Sequence, residues 1–128
     1  MSFRVALADD DPLLRGALGH MLAAMGGKVV AVADGGDLMA ALEAPQTEPF
    51  DVVVADTEMP TLSGVDVMNR CRASGDATPF VLITDYVSIP ELSGLDGVVF
   101  LEKPFGLTAL EAAVARALGD PSGQRRSA

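Results

Sequence analysis

The feature that most constrains this chain is a fivefold alternation of short β-rich runs with stretches of helical period. That order builds a parallel sheet with crossover helices. The strand candidates are Phe3 to Ala8, Val29 to Ala33, Asp51 to Ala55, Phe80 to Thr84 and Val98 to Leu101. Each is almost continuously apolar, as a strand covered by helices on both faces requires. Between the first two, Leu14, Ala17, Leu18, Met21, Leu22 and Met25 fall on one helical stripe, which Gly26 and Gly27 end. Leu110, Ala113, Val114, Ala117 and Leu118 form the stripe of the last helix, with a capping box from Thr108 to Glu111 and a stop at Gly119 and Pro121. Two further helices are predicted from Gly36 to Glu43 and from Gly64 to Ser74. The fourth crossover, Val87 to Gly97, is short and broken by Pro90 and Gly94, so it predicts a short or irregular element.

A length of 128 residues gives room for one contiguous core. Residues 1–119 are expected to form that domain and 120–128 a mobile polar tail. No apolar run approaches the roughly 18 residues that cross a bilayer, and no signal-peptide pattern opens the chain. A soluble, cytoplasmic protein without membrane association is the expectation. The net charge of -9 argues against direct contact with nucleic acid, whose phosphates require clustered Lys and Arg. The single cysteine excludes an intrachain disulfide and a cysteine-built metal site. Cys71 stands at helical spacing from Val65 and Met68 and reads as a buried structural thiol.

In open parallel sheets, ligands bind beyond the carboxyl ends of the strands, where the strand order reverses. Strand one ends in Asp9, Asp10 and Asp11, and strand three in Asp56 with Glu58 just beyond. Strand four ends in Thr84 and Asp85, and strand five is followed by Lys103 and Pro104. Crowded carboxylates repel one another unless a cation relieves them, and a hard ion such as Mg²⁺ accepts oxygen ligands from two strands with water completing its shell. Helix capping ahead of Pro12 accounts for one of the three acids but not for three in a row. A strand-end Asp56 taken alone is a turn-former. Beside a divalent cation, with the Lys103 ammonium and the Thr84 hydroxyl at hand for phosphoryl oxygens, it is a nucleophile toward phosphorus.

Asp9-Asp10, Asp56 within Asp-Thr-Glu-Met-Pro-Thr-Leu-Ser-Gly, Thr84, and Lys103-Pro104-Phe105 together resemble the signature of response-regulator receiver domains, in order and spacing, from about Phe3 to Leu118. The resemblance implies a doubly wound, flavodoxin-like α/β fold with five parallel strands in the order 2-1-3-4-5, here with a short or irregular fourth helix. It implies Asp56 as phosphoacceptor, with Mg²⁺ held by Asp9, Asp10, Asp56 and the backbone carbonyl of Glu58. Lys103 would pair with the phosphoryl group, while Thr84 and the aromatic Phe100 would form the switch. The implied partners are a sensor histidine kinase or phosphotransfer protein and a downstream target protein, with the domain a monomer or a phosphorylation-dependent dimer. Beyond its own phosphorylation and slow dephosphorylation, no enzymatic activity is expected.

The sequence also departs from the family. Position 85, usually small, is Asp, an extra carboxylate at the phosphoryl pocket. The segment from Thr84 to Phe100 is shorter than usual and contains Pro90. The stretch Pro79-Phe80 to Thr84 with Tyr86 resembles a subgroup of single-domain receivers with a Pro-Phe-x-x-x-Thr-Gly-Tyr pattern, except that Asp85 replaces its glycine. Glu58 is either a modulator facing the attacking water or a solvated turn residue. His20 is expected at the flank of the first helix, without a phosphotransfer role. Gly35-Gly36 reads as a turn and not a dinucleotide loop. Two alternatives remain open: a degenerate receiver that binds partners without phosphorylation, and an aspartate-nucleophile phosphohydrolase.

Overall fold

The computed structural model describes residues 2–45, 48–85 and 97–119. Its strands are β1 (Phe3–Ala8), β2 (Gly27–Val32), β3 (Val52–Asp56), β4 (Phe80–Thr84) and β5 (Val98–Glu102). They form one parallel sheet in the order β2-β1-β3-β4-β5, the arrangement that the resemblance implied. The helices among the described residues are α1 (Pro12–Ala24), α2 (Gly35–Glu43), α3 (Gly64–Ala73) and α4 (Leu107–Ala117). The short or irregular element expected between β4 and β5, with Pro90 and Tyr86, lies outside the described residues, as does the tail at 120–128. Among the described residues, no helix is long and apolar enough to cross a membrane.

Two core layers hold the sheet. On one face Leu7, Leu18, Leu22, Ile83 and Leu110 pack together, drawn from β1, β4, α1 and α4. On the other, Leu38, Phe50, Met68, Cys71, Phe80 and Leu82 pack beneath α2 and α3. Burying each such side chain favours folding by about 1.5–3 kcal/mol. The central strand β3 is buried throughout. The edge strand β2 is not: Lys28, Val30 and Ala31 are exposed, because an edge strand is only partly covered. Ala17, expected in the stripe of α1, is also exposed.

Helix ends follow local chemistry, with two corrections. Asp11 caps α1 by accepting hydrogen bonds from Leu13 N (3.0 Å) and Leu14 N (3.4 Å), so capping does account for one of the three acids. Only Gly26, with φ +98°, terminates that helix, and Gly27 already pairs with Phe3 at the start of β2. The capping box expected from Thr108 to Glu111 is absent: α4 begins at Leu107, and Gly106 supplies no side-chain cap. A capping box stands instead at α3, where Ser63 Oγ accepts from Asp66 N (3.0 Å) and Asp66 Oδ2 from Ser63 N (3.2 Å).

The chain passes from β1 to β2 on one side and returns to β3 on the other, opening a crevice beyond the carboxyl ends of β1 and β3. Ala8 pairs with Ala55, so Asp9 and Asp56 are the next residues on adjacent strands. Asp56 pairs with Ile83, and Thr84 with Glu102. The sheet register thereby delivers Asp9, Asp56, Thr84 and Lys103 to one edge.

Candidate functional site

Asp56 is the last residue of β3 and is almost fully buried. Its two oxygens have separate partners: Oδ1 accepts from Glu58 N at 2.8 Å, and Oδ2 accepts from Lys103 Nζ at 2.7 Å. The Lys103 side chain is 31 % exposed and that of Asp56 only 7 %, so the ammonium covers the carboxylate from the solvent side. Lys103 reaches it because its own N–H continues the β4–β5 ladder, donating to the Thr84 carbonyl at 2.9 Å. Its hydrogen bond to Asp56 holds the ammonium above the usual lysine range against burial, with the charges of Asp56, Asp85 and Asp9 adding to the effect.

Asp9 occupies the matching place on β1, 1 % exposed. Its Oδ1 accepts from Asp11 N at 2.9 Å, and its carbonyl accepts from Arg15 Nη1 at 2.8 Å. Its Oδ2 is buried without a hydrogen-bond partner. Burial raises its carboxyl above the ordinary aspartate range; the charges of Asp56 and Asp10 add to the rise, and the Asp11 N–H and Lys103 oppose it. A buried carboxylate oxygen left in this condition is a ready ligand for a cation, since no hydrogen bond compensates its desolvation.

Asp10 is exposed and, with Asp56, Glu58, Met59, Pro60 and Lys103, lines an open cavity of about 450 Å³. No three acidic, histidine or cysteine side chains among the described residues converge closely enough to make a complete cage. The donor set nevertheless fits Mg²⁺, a hard ion that needs only one or two carboxylates and fills its shell with carbonyl oxygen and water. The Glu58 side chain is exposed at the cavity wall. Thr84 is buried at the end of β4, and Asp85 beside it is exposed. Phe100 is half-buried and packs against the α2–α3 core layer.

Asp9, Asp10, Asp56, Glu58, Thr84, Asp85 and Lys103 thus lie at or just beyond the carboxyl ends of their strands, whereas Phe100 sits inside β5 opposite Leu82. His20 is exposed on α1, away from this list. Cys71 is buried, and burial pushes its thiol up to about 11, which suits a structural side chain. Several contributors escaped the sequence reading. Gly64 is needed because a Cβ there would stand 2.4 Å from the Asp56 carbonyl oxygen, and Gly35 because a Cβ would stand 1.9 Å from the Leu62 carbonyl oxygen. Thr61, with φ 68°, ties the loop after Asp56 to α2 through Gly36 N, which donates to its Oγ1 at 2.8 Å. The pair Gly35-Gly36, read as a turn, is the first turn of α2. Small residues signal close approach only when the partner segment is known.

Residues 5–115 match the family model of the response regulator receiver domain. The chain is 38% identical over 114 residues to the response regulator protein PmrA of Pseudomonas aeruginosa, covering 87% of this chain and 50% of that protein. It spans about half the length of the curated relatives it matches. Among solved structures it resembles the chemotaxis response regulator CheY4 of Vibrio cholerae, with TM-score 0.80, 26% identity and coverage of 92% of this chain and 100% of that one. The receiver domain of the sensor histidine kinase PA1611 of Pseudomonas aeruginosa, crystallised with a magnesium ion coordinated in its active-site cleft, shares the fold at TM-score 0.76. Its sequence is 24% identical, and the match covers 92% of this chain and 98% of that one.

Proposed function

The chain belongs to the response regulator receiver domain family of two-component signalling, and from that premise we propose that it is a switch whose phosphoacceptor is Asp56. One observation carries the reading: the strand-end carboxylate of Asp56 is capped at 2.7 Å by Lys103, beside a second buried carboxylate oxygen, on Asp9, with no partner. An acyl-phosphate site needs a nucleophilic carboxylate, a cation to take up phosphoryl charge, and a place for a metal. All three requirements fall at the carboxyl edge of the sheet, at the ends of β1, β3 and β5.

In this reading a histidine kinase or phosphotransfer protein presents a phosphohistidine. An oxygen of Asp56 bonds to phosphorus, the nitrogen–phosphorus bond breaks, and the imidazole nitrogen keeps the electron pair. Lys103 moves from the carboxylate to the phosphoryl oxygens, so its charge stays paired throughout. The Thr84 hydroxyl donates to another phosphoryl oxygen, and Phe100 packs inward behind it as the switch. Asp9, Asp10, Asp56 and the Glu58 carbonyl would hold Mg²⁺, which when bound neutralises charge on the phosphoryl group and on the clustered acids. The magnesium-containing cleft of the PA1611 receiver supports that assignment by analogy. Water later attacks the same phosphorus, the bond from phosphorus to the Asp56 oxygen breaks, and inorganic phosphate leaves as the carboxylate is restored. The downstream partner is a protein that distinguishes the two positions of the switch, and the chain works in the cytoplasm where such kinases present their phosphohistidine.

The test is intact-mass measurement after incubation with acetyl phosphate and Mg²⁺. A gain of one phosphoryl group that Asp56→Asn abolishes supports the switch. No adduct under any metal condition would favour a partner-binding domain that works without phosphorylation, and sustained release of phosphate from small esters would favour a hydrolase.

A further inference from the structure

Arg15 takes no part in the reaction just described, yet it is bonded to the residue on which metal binding turns. It is half-buried near the start of α1, and its Nη1 donates to the Asp9 carbonyl at 2.8 Å. Three acids precede the helix, but among the described residues Arg15 forms no ion pair with any of them. Its guanidinium goes to a backbone oxygen instead. Asp9 is in fact tied at every polar atom except one. Its N–H donates to the Val32 carbonyl at 3.2 Å, its Oδ1 accepts from Asp11 N at 2.9 Å, and its carbonyl has Arg15. Only Oδ2 remains, buried and without a hydrogen-bond partner. The next residue is placed by the same bonds. Asp10 lies between two planar peptides, and both are anchored. The peptide before it carries the Asp9 carbonyl held by Arg15; the peptide after it carries the Asp11 N–H held by Asp9 Oδ1. Asp10 is itself exposed and lines the cavity with Asp56 and Lys103, so the direction in which its side chain leaves the backbone is set by these two bonds.

Resting on the reading of Asp9, Asp10 and Asp56 as the Mg²⁺ site, we propose that Arg15 is a positioning residue for the metal: through the Asp9 carbonyl it fixes the Asp9–Asp10 peptide, and with it the relative placement of two carboxylates that meet the ion. Mg²⁺ demands near-ideal octahedral geometry, whereas Ca²⁺ accepts irregular and more numerous oxygen ligands. A backbone free to turn at this peptide would offer the same charges at scattered positions. Mg²⁺ is then the ion that loses. The guanidinium charge works in the opposite direction, since a positive group near a divalent cation repels it. Geometry and charge thus predict changes of opposite sign when Arg15 is removed, and charge alone treats the two ions alike.

The role is measured by binding alone, with no phosphoryl donor present. Mg²⁺ and, separately, Ca²⁺ are titrated into the full chain, and amide chemical shifts give the dissociation constants for wild type, Arg15→Met, Arg15→Gln, Arg15→Lys and Arg116→Met. At position 15, Met removes the donor and Gln withdraws it to a shorter arm. Both remain good helix formers, so either can stand in if the other fails to fold. Lys keeps the charge and a donor of nearly the same reach. Arg116, exposed in the last turn of α4, controls for net charge.

The expected result is an Mg²⁺ affinity lower by about tenfold in Arg15→Met and Arg15→Gln, the low end of what losing a group that orients a metal ligand costs. The loss for Ca²⁺ should be clearly smaller. Arg15→Lys should recover most of the Mg²⁺ affinity, and Arg116→Met should match wild type. Unchanged or tighter Mg²⁺ binding, equal losses for the two ions, or no recovery with Lys would overturn the positioning role while leaving the metal site. Failure of both neutral variants to fold would overturn it too, because the bond would then belong to the stability of the domain. A wild-type chain that binds neither ion would instead remove the Mg²⁺ site, and the positioning role with it.

Discussion

Asp9 and Asp56 stand at the ends of neighbouring strands in nearly the same local structure. Each is almost fully buried, and each uses Oδ1 to accept a backbone N–H two residues on, from Asp11 at 2.9 Å and from Glu58 at 2.8 Å. They part at the second oxygen. On Asp56 it is held by Lys103 at 2.7 Å; on Asp9 it has no hydrogen-bond partner. One carboxylate is supplied with a cation by the chain itself, and the other is the one that the proposed function assigns to Mg²⁺. The difference teaches that buried charge at this edge is not arranged for maximal stability, since a buried unpaired oxygen is costly.

The largest way to break this comparison is to remove the acceptor. Asp56→Asn should abolish the acetyl-phosphate adduct altogether, and an adduct of unchanged yield, located elsewhere by peptide mapping, would sink the assignment. Next comes Lys103→Met, which gives Asp56 the same unpaired oxygen that Asp9 has. We expect a loss of about 1–2 kcal/mol in metal-free chemical denaturation, partly recovered with Mg²⁺. Asp9→Asn removes the unpaired charge instead. It should leave the metal-free domain as stable or about 1 kcal/mol more stable, while the thermal shift caused by Mg²⁺ shrinks; an undiminished shift would mean that the ion binds without Asp9.

The smallest effect is one of pH. Burial raises the Asp9 carboxyl above its ordinary value of 3.8 in the folded chain. The folded state therefore holds more protons than the unfolded one between the two values, and the Asp9 contribution to metal-free stability falls as pH rises through that window. Lys103 contributes with the opposite chemistry but the same slope, being fully stabilising below 10.5 and losing that contribution as pH rises through its raised folded value. The stabilisation by Mg²⁺ should thus grow with pH from the acid side until Asp9 is ionised. A melting series from pH 4 to 8 with and without the ion would reveal a flat difference if Asp9 were not involved.

The strand cores were legible in the sequence because both faces of a central parallel strand are buried, leaving continuous apolar runs such as Val52 to Ala55 and Phe80 to Ile83. The site was legible for a related reason: charge placed at the very end of such a run has no structural use except at the edge. What stayed hidden depended on partners distant in the chain. Thr108-to-Glu111 has the letters of a capping box, but Leu107 is already helical, whereas Ser63 and Asp66 formed one with a shorter acid. The unpaired oxygen of Asp9 and the pairing of Lys103 with Asp56 depend on register and side-chain reach, and no local pattern encodes them.

The loop that follows Asp56 presses on its surroundings at two glycines, with no space for a methyl group between Gly35 and the Leu62 carbonyl or between Gly64 and the Asp56 carbonyl. Anyone grafting a different signalling specificity onto this scaffold would have to transplant the loop and the start of α2 as one module. Exchanging either alone would drive a wedge into the backbone that carries the Asp56 carboxylate.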